Sequence, residues 1–249
     1  PLPAAAVKVD HHTSNANMII EARDAHLRTH TVHREVISFN EADVEFFSKW
    51  SKGKRFRETI SNHFITDDHV DQPPADHSTR YMRSFHLHSL PRHLNARLEL
   101  EQLSSLLNVA YRRVPSGWSC LWSGAGCKTQ LPHRDYFIDD INEIASVNSE
   151  LHSYSVIIAI GTAAHLVVWQ DILAAPLDME VVFLAPGDVL VFRDDCVHAG
   201  GFYPDGQMGR LHCFLEGPIK RTHGKNDWVK GIDKEMLREI HCRVRDIVG

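Results

Sequence analysis

Apolar positions along this chain follow two rhythms, and the change from one to the other divides it. Asn40 can cap a helix with its side chain, Glu41 and Asp43 suit a first turn, and Val44, Phe47 and Trp50 then recur at helical spacing. Leu94, Leu98, Leu103, Leu106, Leu107 and Ala110 repeat in steps of three and four, which predicts a helix over 93–113 with a broad apolar face. Pro115-Ser116-Gly117 ends that rhythm. The chain then reads as short runs rich in aromatic and β-branched residues: Trp118–Trp122, Ser153–Ile160, His165–Trp169, Met179–Leu184, Val189–Arg193 and Met208–Leu215. Turn signals at Gly161-Thr162, Pro186-Gly187-Asp188 and Gly200-Gly201 separate them. Helical spacing returns after about Ile232, with Met236, Leu237, Ile240, Val244 and Ile247 on one side.

The expected fold class is therefore mainly β with flanking helices (α+β). Residues 1–114 supply strands and helices that pack on a barrel, 115–217 form the β core, and 218–249 form a basic linker and a last helix, all in one unit. Met18-Ile19-Ile20 and Val36–Phe39 predict one or two strands outside the barrel. The stretch 61–92, rich in His, Asp and Pro, reads as a long loop or lid, and 138–151 as an acidic connection. His86 and His88 would share a strand face there, with no carboxylate in register. Trp118 and Trp122 share a face, either as core or as a stacking surface for a flat substrate.

At 249 residues, 43% hydrophobic and 24% charged, the chain can bury a core unaided. No apolar run is long enough to span a membrane and no secretory signal is legible, so the expected location is intracellular, cytoplasmic or nuclear. The five cysteines form no C-x-x-C pair, which fits a reducing compartment. A net charge of −5 gives no overall attraction to nucleic acid. Local basic groups at Lys52, Lys54, Arg55 and Arg57, and at Lys220, Arg221 and Lys225, leave a nucleic-acid partner open but not favoured.

Candidate chemistry centres on Thr129–Tyr136. If this stretch is a strand, His133 and Asp135 point to one side and converge, supplying two thirds of the facial triad of two histidines and one carboxylate that holds a non-haem Fe(II). His33-Arg34-Glu35 and His69-Val70-Asp71 have the same His-x-acid form but lack the right company downstream. That company is the segment 185–216, where His198 stands before Gly200-Gly201 and Arg210 follows on a strand that puts Arg210, His212 and Phe214 on one face. A guanidinium facing an apolar interior requires an anionic partner: a ligand carboxylate, or Asp194 or Asp195 in an internal salt bridge. Cys196, two residues before His198, is either a buried thiol or a group facing the metal.

In the order His133-x-Asp135, His198, Arg210, on strands separated by turns, the sequence resembles the Fe(II)- and 2-oxoglutarate-dependent oxygenases. The resemblance implies a double-stranded β-helix (jelly roll, cupin-like) over roughly 115–217. It implies His133, Asp135 and His198 as metal ligands, Arg210 on the far carboxylate of 2-oxoglutarate, and Tyr154 in preference to Ser155 as a further contact. Several subfamilies carry Arg-x-Ser where this chain has Arg210-Leu211-His212. The implied reaction uses O2 to hydroxylate or oxidatively demethylate a substrate, with succinate and CO2 as co-products. The substrate is left open among small molecules, protein side chains and modified bases. Two rival readings are a cupin-type metal dioxygenase or isomerase without 2-oxoglutarate, and a barrel that binds a ligand or nucleic acid without turnover.

Overall fold

The computed structural model describes residues 30–52, 58–59, 80–136, 152–169, 176–203, 208–217, 227–229 and 232–248. In chain order its elements are β1 (His30–His33), α1 (Glu41–Lys52), β2 (Glu58–Thr59), β3 (Arg80–Ser84), α2 (Asn95–Tyr111), β4 (Pro115–Ser123), β5 (His133–Arg134), β6 (Tyr154–Ile160) and β7 (Ala164–Trp169). They continue as β8 (Met179–Leu184), β9 (Val189–Arg193), β10 (Val197–Gly200), β11 (Met208–Leu215), β12 (Asp227–Trp228) and α3 (Lys234–Val248), with 3-10 turns at Leu87–Ser89 and Pro176–Asp178.

The strands form two antiparallel sheets, a larger one ordered β1-β9-β6-β11-β4-β3-β2 and a smaller one ordered β12-β5-β10-β7-β8. From β4 to β11 the chain passes repeatedly between them, leaving β9-β6-β11-β4 in one and β5-β10-β7-β8 in the other. That interleaving is the double-stranded β-helix, or jelly roll.

Three apolar layers follow from side-chain alternation. On β6, Val156, Ile158 and Ile160 face outward into a core shared with α1 and α2, while Ile157 and Ala159 face inward with Leu166, Val168, Leu190 and Phe192. On the outside of the smaller sheet, Val167, Trp169, Val197 and Ala199 pack against Leu237, Ile240 and Val244 of α3. Trp118 is buried in the helix-side core, and Trp122, buried on the same face, lines a cavity beside α1; neither faces the barrel interior.

The helices form where the apolar spacing indicates. Asn40 Oδ1 accepts from Asp43 N at 2.9 Å and Asp43 Oδ2 accepts from Asn40 N at 3.1 Å, a reciprocal cap on α1. Asp43 Oδ1 also accepts from Ala96 N at 3.0 Å, supplying α2 with the cap its own Leu94 does not give. α2 buries Ala96, Leu100, Leu103, Leu107 and Tyr111 and ends at Arg112, which takes the left-handed conformation. Leu98, expected on the apolar face, lies off this stripe and is 55% exposed; Ile247 is likewise exposed beyond the buried face of α3.

Four other expectations are corrected. Val36–Phe39 is not a strand; the strand is β1, paired with β9 through His30↔Phe192 to His33↔Val189. Val36 N and Ile37 N instead donate to Gly187 O, and a Cβ on Gly187 (φ 89) would stand 2.0 Å from Ile37 O, which explains the glycine in that turn. Within 61–92, residues 80–84 form β3, hydrogen-bonded to β4. His86 and His88 lie around a 3-10 turn with their rings stacked, and both are exposed. Finally, only His133–Arg134 of the 129–136 stretch forms a strand, because Pro132 has no N–H for a ladder. The readings of Met18–Ile20, His69–Asp71, 138–151 and most of the two basic groups fall outside the described residues.

Candidate functional site

β5 and β10 are neighbours in the smaller sheet, with His133 directly opposite His198. Directly opposed residues share a face, and here the imidazole centroids lie 4.4 Å apart. Asp135 sits in the turn just past β5, and its carboxylate still comes back to the pair, with Oδ1 3.5 Å from His198 Nε2. One ligand atom each from His133, Asp135 and His198 lies within 4.8 Å of the others.

Both rings are oriented through their far nitrogen. His133 Nδ1 donates to Leu131 O at 2.8 Å and His198 Nδ1 to Cys196 O at 3.3 Å. A carbonyl only accepts, so each Nδ1 carries the proton and each Nε2 presents a lone pair. Phe192 packs on the His198 ring at 4.6 Å. Cys196 thus serves through its carbonyl, while its thiol lies in the apolar interior and is not among the gathered ligand atoms.

The electrostatics suit a cation. Burial, with the neighbouring His198, pushes His133 down to about 3, and burial also lowers His198, so both imidazoles are neutral near pH 7. Burial would raise the Asp135 carboxyl, but His198, His212 and His133 outweigh it and hold it well below the usual carboxylate range. Two neutral nitrogens and one anionic oxygen on one side of a buried point form the donor set of a two-histidine, one-carboxylate facial triad.

The larger sheet supplies the rest. Arg210, buried on β11, lies between Leu121 of β4 and Ala159 of β6, and is near enough to contribute to lowering both the His133 and the His198 imidazoles. Gly209 precedes it because a Cβ there would stand 2.3 Å from Trp122 Cζ3, so the indole can lie across the strand. The acids weighed as salt-bridge partners are engaged elsewhere, Asp195 with Arg193 and Asp194 with His152 and Ser153 N.

The inward assignment of Arg210, His212 and Phe214 holds, whereas Tyr154 is a correction. Tyr154 faces outward, its ring 5.0 Å from Tyr111 and packed against the helix-side core, because it shares parity with Val156 and Ile158. Ser155 has the opposite parity, and its Oγ donates to Asp135 Oδ2. His212 Nε2 lies 3.5 Å from the same oxygen. Both faces of β6 are apolar, so its own rhythm does not choose between Tyr154 and Ser155; the pairing with β11, which sets Ser155 opposite the inward Phe214, does.

No protein-family model matches the sequence, and no curated protein matches it. Solved structures do match in shape. A prolyl hydroxylase from Trichoplax adhaerens, in complex with a hypoxia inducible factor oxygen degradation domain peptide fragment, superposes with a TM-score of 0.53 at 8% identity, covering 85% of this chain and 94% of that one. HygX from Streptomyces hygroscopicus, with nickel, 2-oxoglutarate and hygromycin B bound, gives 0.51 at 12% identity, covering 83% and 89%. A Pseudomonas putida prolyl-4-hydroxylase gives 0.50 at 12%, covering 80% and 98%. The chain has the fold of these oxygenases.

Within this oxygenase fold a second group, His152, Asp194 and Asp195, also brings ligand atoms within 4.8 Å. Its bonds are internal: His152 Nδ1 lies 2.7 Å from Asp194 Oδ1, Ser153 N donates to Asp194 Oδ2 at 2.8 Å, and Arg193 grips Asp195 through Nε and Nη2. The first rival triplet does not gather, with His33 buried and its Nε2 3.1 Å from Tyr111 Oη while Glu35 is exposed. A cavity of about 510 Å³ between α1 and the β6–β7 turn, lined by Phe39, Val44, Trp122, Ile160 and Pro186, lies outside the barrel and contains none of the triad.

Proposed function

We propose that this protein is an Fe(II)- and 2-oxoglutarate-dependent dioxygenase, with His133, Asp135 and His198 as the metal ligands. The observation that carries the reading is the convergence of these three donors, two neutral and one anionic, at one buried point inside a jelly roll. Bound Fe(II), with 2-oxoglutarate and O2, supplies the oxidation of a substrate C–H bond, and succinate and CO2 are the co-products.

The chain's own groups prepare that chemistry. His133 and His198 present Nε2 without first losing a proton, and Asp135 offsets part of the cation's charge. Arg210 offers a planar fork to the far carboxylate of 2-oxoglutarate, in surroundings where the interaction is little screened. Leu190, Phe192 and Ala159 exclude water from the same interior.

The product is a hydroxylated substrate, or a demethylated one when the oxidised carbon is bound to nitrogen. The substrate class is a peptide or protein side chain, a small molecule, or a modified base. Peptides containing proline and polar small molecules head the panel, since the structural neighbours include a prolyl hydroxylase with a peptide and HygX with hygromycin B. An intracellular, cytoplasmic or nuclear, location belongs to the same proposal. It rests on the sequence, in which the five cysteines form no C-x-x-C pair, and is tested by localising a tagged chain.

The deciding experiment is an anaerobic titration of 2-oxoglutarate into the Fe(II) protein, following the metal-to-ligand absorption band, then succinate release in air. A band with succinate formation supports the reading. Metal binding without the band moves the cupin-type reading ahead, and no metal binding favours a non-catalytic barrel.

A further inference from the structure

The metal-facing carboxylate has two oxygens, and the barrel treats them differently. Oδ1 of Asp135 faces His198, while Oδ2 receives the Ser155 hydroxyl and lies 3.5 Å from His212 Nε2. We infer that Ser155 and His212 are positioning residues that fix Oδ2, so that Asp135 meets the metal through Oδ1 alone. A carboxylate free to swing can chelate through both oxygens, which would close a coordination position that co-substrate and oxygen require. One held from behind keeps that position open.

The sheet register builds this clamp. Ser155 pairs with Phe214 and His212 with Ile157 across β6 and β11, so Ser155 and His212 are inward-facing diagonal neighbours. Diagonal pairs stand roughly 7–8 Å apart, enough to admit a carboxylate between them. Phe214 stiffens both sides: it meets the His212 ring edge-on at 4.5 Å and the ring of Tyr136, next to Asp135, at 5.9 Å. His212 occupies the position of the serine in Arg-x-Ser, and here its ring is turned toward the metal carboxylate.

This inference rests on the oxygenase reading, and the experiment separates the two. Apo protein is titrated with Co(II), in the absence of 2-oxoglutarate, and the visible ligand-field band is recorded. Ser155→Ala and His212→Leu should each weaken Co(II) binding roughly tenfold to a hundredfold, in line with other residues that orient metal ligands, and should alter the band. Ser155→Thr and His212→Gln, which keep a donor, should recover most of the affinity and the wild-type band. Wild-type affinity and an unchanged band in both Ser155→Ala and His212→Leu would overturn the clamp and leave the metal assignment standing. If His212→Leu does not fold, Ser155→Ala and its threonine rescue decide alone. If Asp135→Ala binds Co(II) as tightly as the wild type, the metal assignment falls and the clamp with it.

Discussion

Among the described residues are two clusters of histidine and aspartate, similar in size and burial, and of these two one has the form of a metal centre. Around His152, both Asp194 oxygens and both Asp195 oxygens already accept hydrogen bonds from His152, Ser153 N and Arg193. That cluster ties the β9–β10 turn to the start of β6, and Gly217 N joins it by donating to Ser153 Oγ at 2.9 Å. Around His133, the two imidazoles donate outward through Nδ1, to Leu131 O and Cys196 O, and Asp135 Oδ2 accepts from Ser155 Oγ, while Asp135 Oδ1 lies 3.5 Å from His198 Nε2. Proximity alone does not distinguish the two. What distinguishes them is that donors of the fold hold both oxygens of each acid around His152, whereas Ser155 holds Oδ2 of Asp135 and Oδ1 is turned to His198.

Exchanging the two aspartates in turn tests this difference most sharply. Asp135→Ala should keep the fold and abolish Fe(II)-dependent succinate formation, because two neutral imidazoles cannot offset the ion's charge. Full turnover in a folded Asp135→Ala protein would remove the distinction altogether. Next in size is Arg210→Ala, which should leave metal affinity near wild type while 2-oxoglutarate binding weakens by about thirtyfold to several-thousandfold, the equivalent of roughly 2–5 kcal/mol. Arg210→Lys should recover part of it. Equal titrations for wild type and Arg210→Ala would make the arginine structural.

Asp194→Ala should show the converse pattern. Leaving the His152 ring and the Ser153 amide without their buried acceptor costs on the order of 3 kcal/mol of stability. The loss would be read as a lower denaturation midpoint, with Co(II) affinity of the folded fraction within a few fold of wild type. The smallest effect is expected for Tyr154→Phe, whose ring packs against Tyr111 on the outside. Its 2-oxoglutarate dependence should match wild type, and a marked rise in the concentration required would return Tyr154 to the site.

Much of this was legible from local pattern. The apolar parity of β11 puts Arg210, His212 and Phe214 on one side whatever β11 pairs with, and the three- and four-residue steps of α2 mark its buried face. Reading failed where a neighbouring element, and not the segment's own rhythm, made the decision. Leu98 carries the apolar signal of its helix but falls off the stripe that meets the sheet. Tyr154 has the chemistry of a co-substrate contact, yet its parity on β6 directs it to Tyr111.

By itself the sequence determined the donor types, much of the strand-and-turn order of the barrel, and the faces of β11, because those depend on residue chemistry and a period of two. The tertiary structure decided which donors meet. His198 lies opposite His133 only because β10 pairs with β5, and Ser155 and His212 enclose one oxygen of Asp135 only through the β6–β11 register. Asp194 is withdrawn from the interior by a histidine 42 positions away. Such pairings are set by the packing of whole sheets against one another, and a local sequence window contains no term for a partner that is distant along the chain.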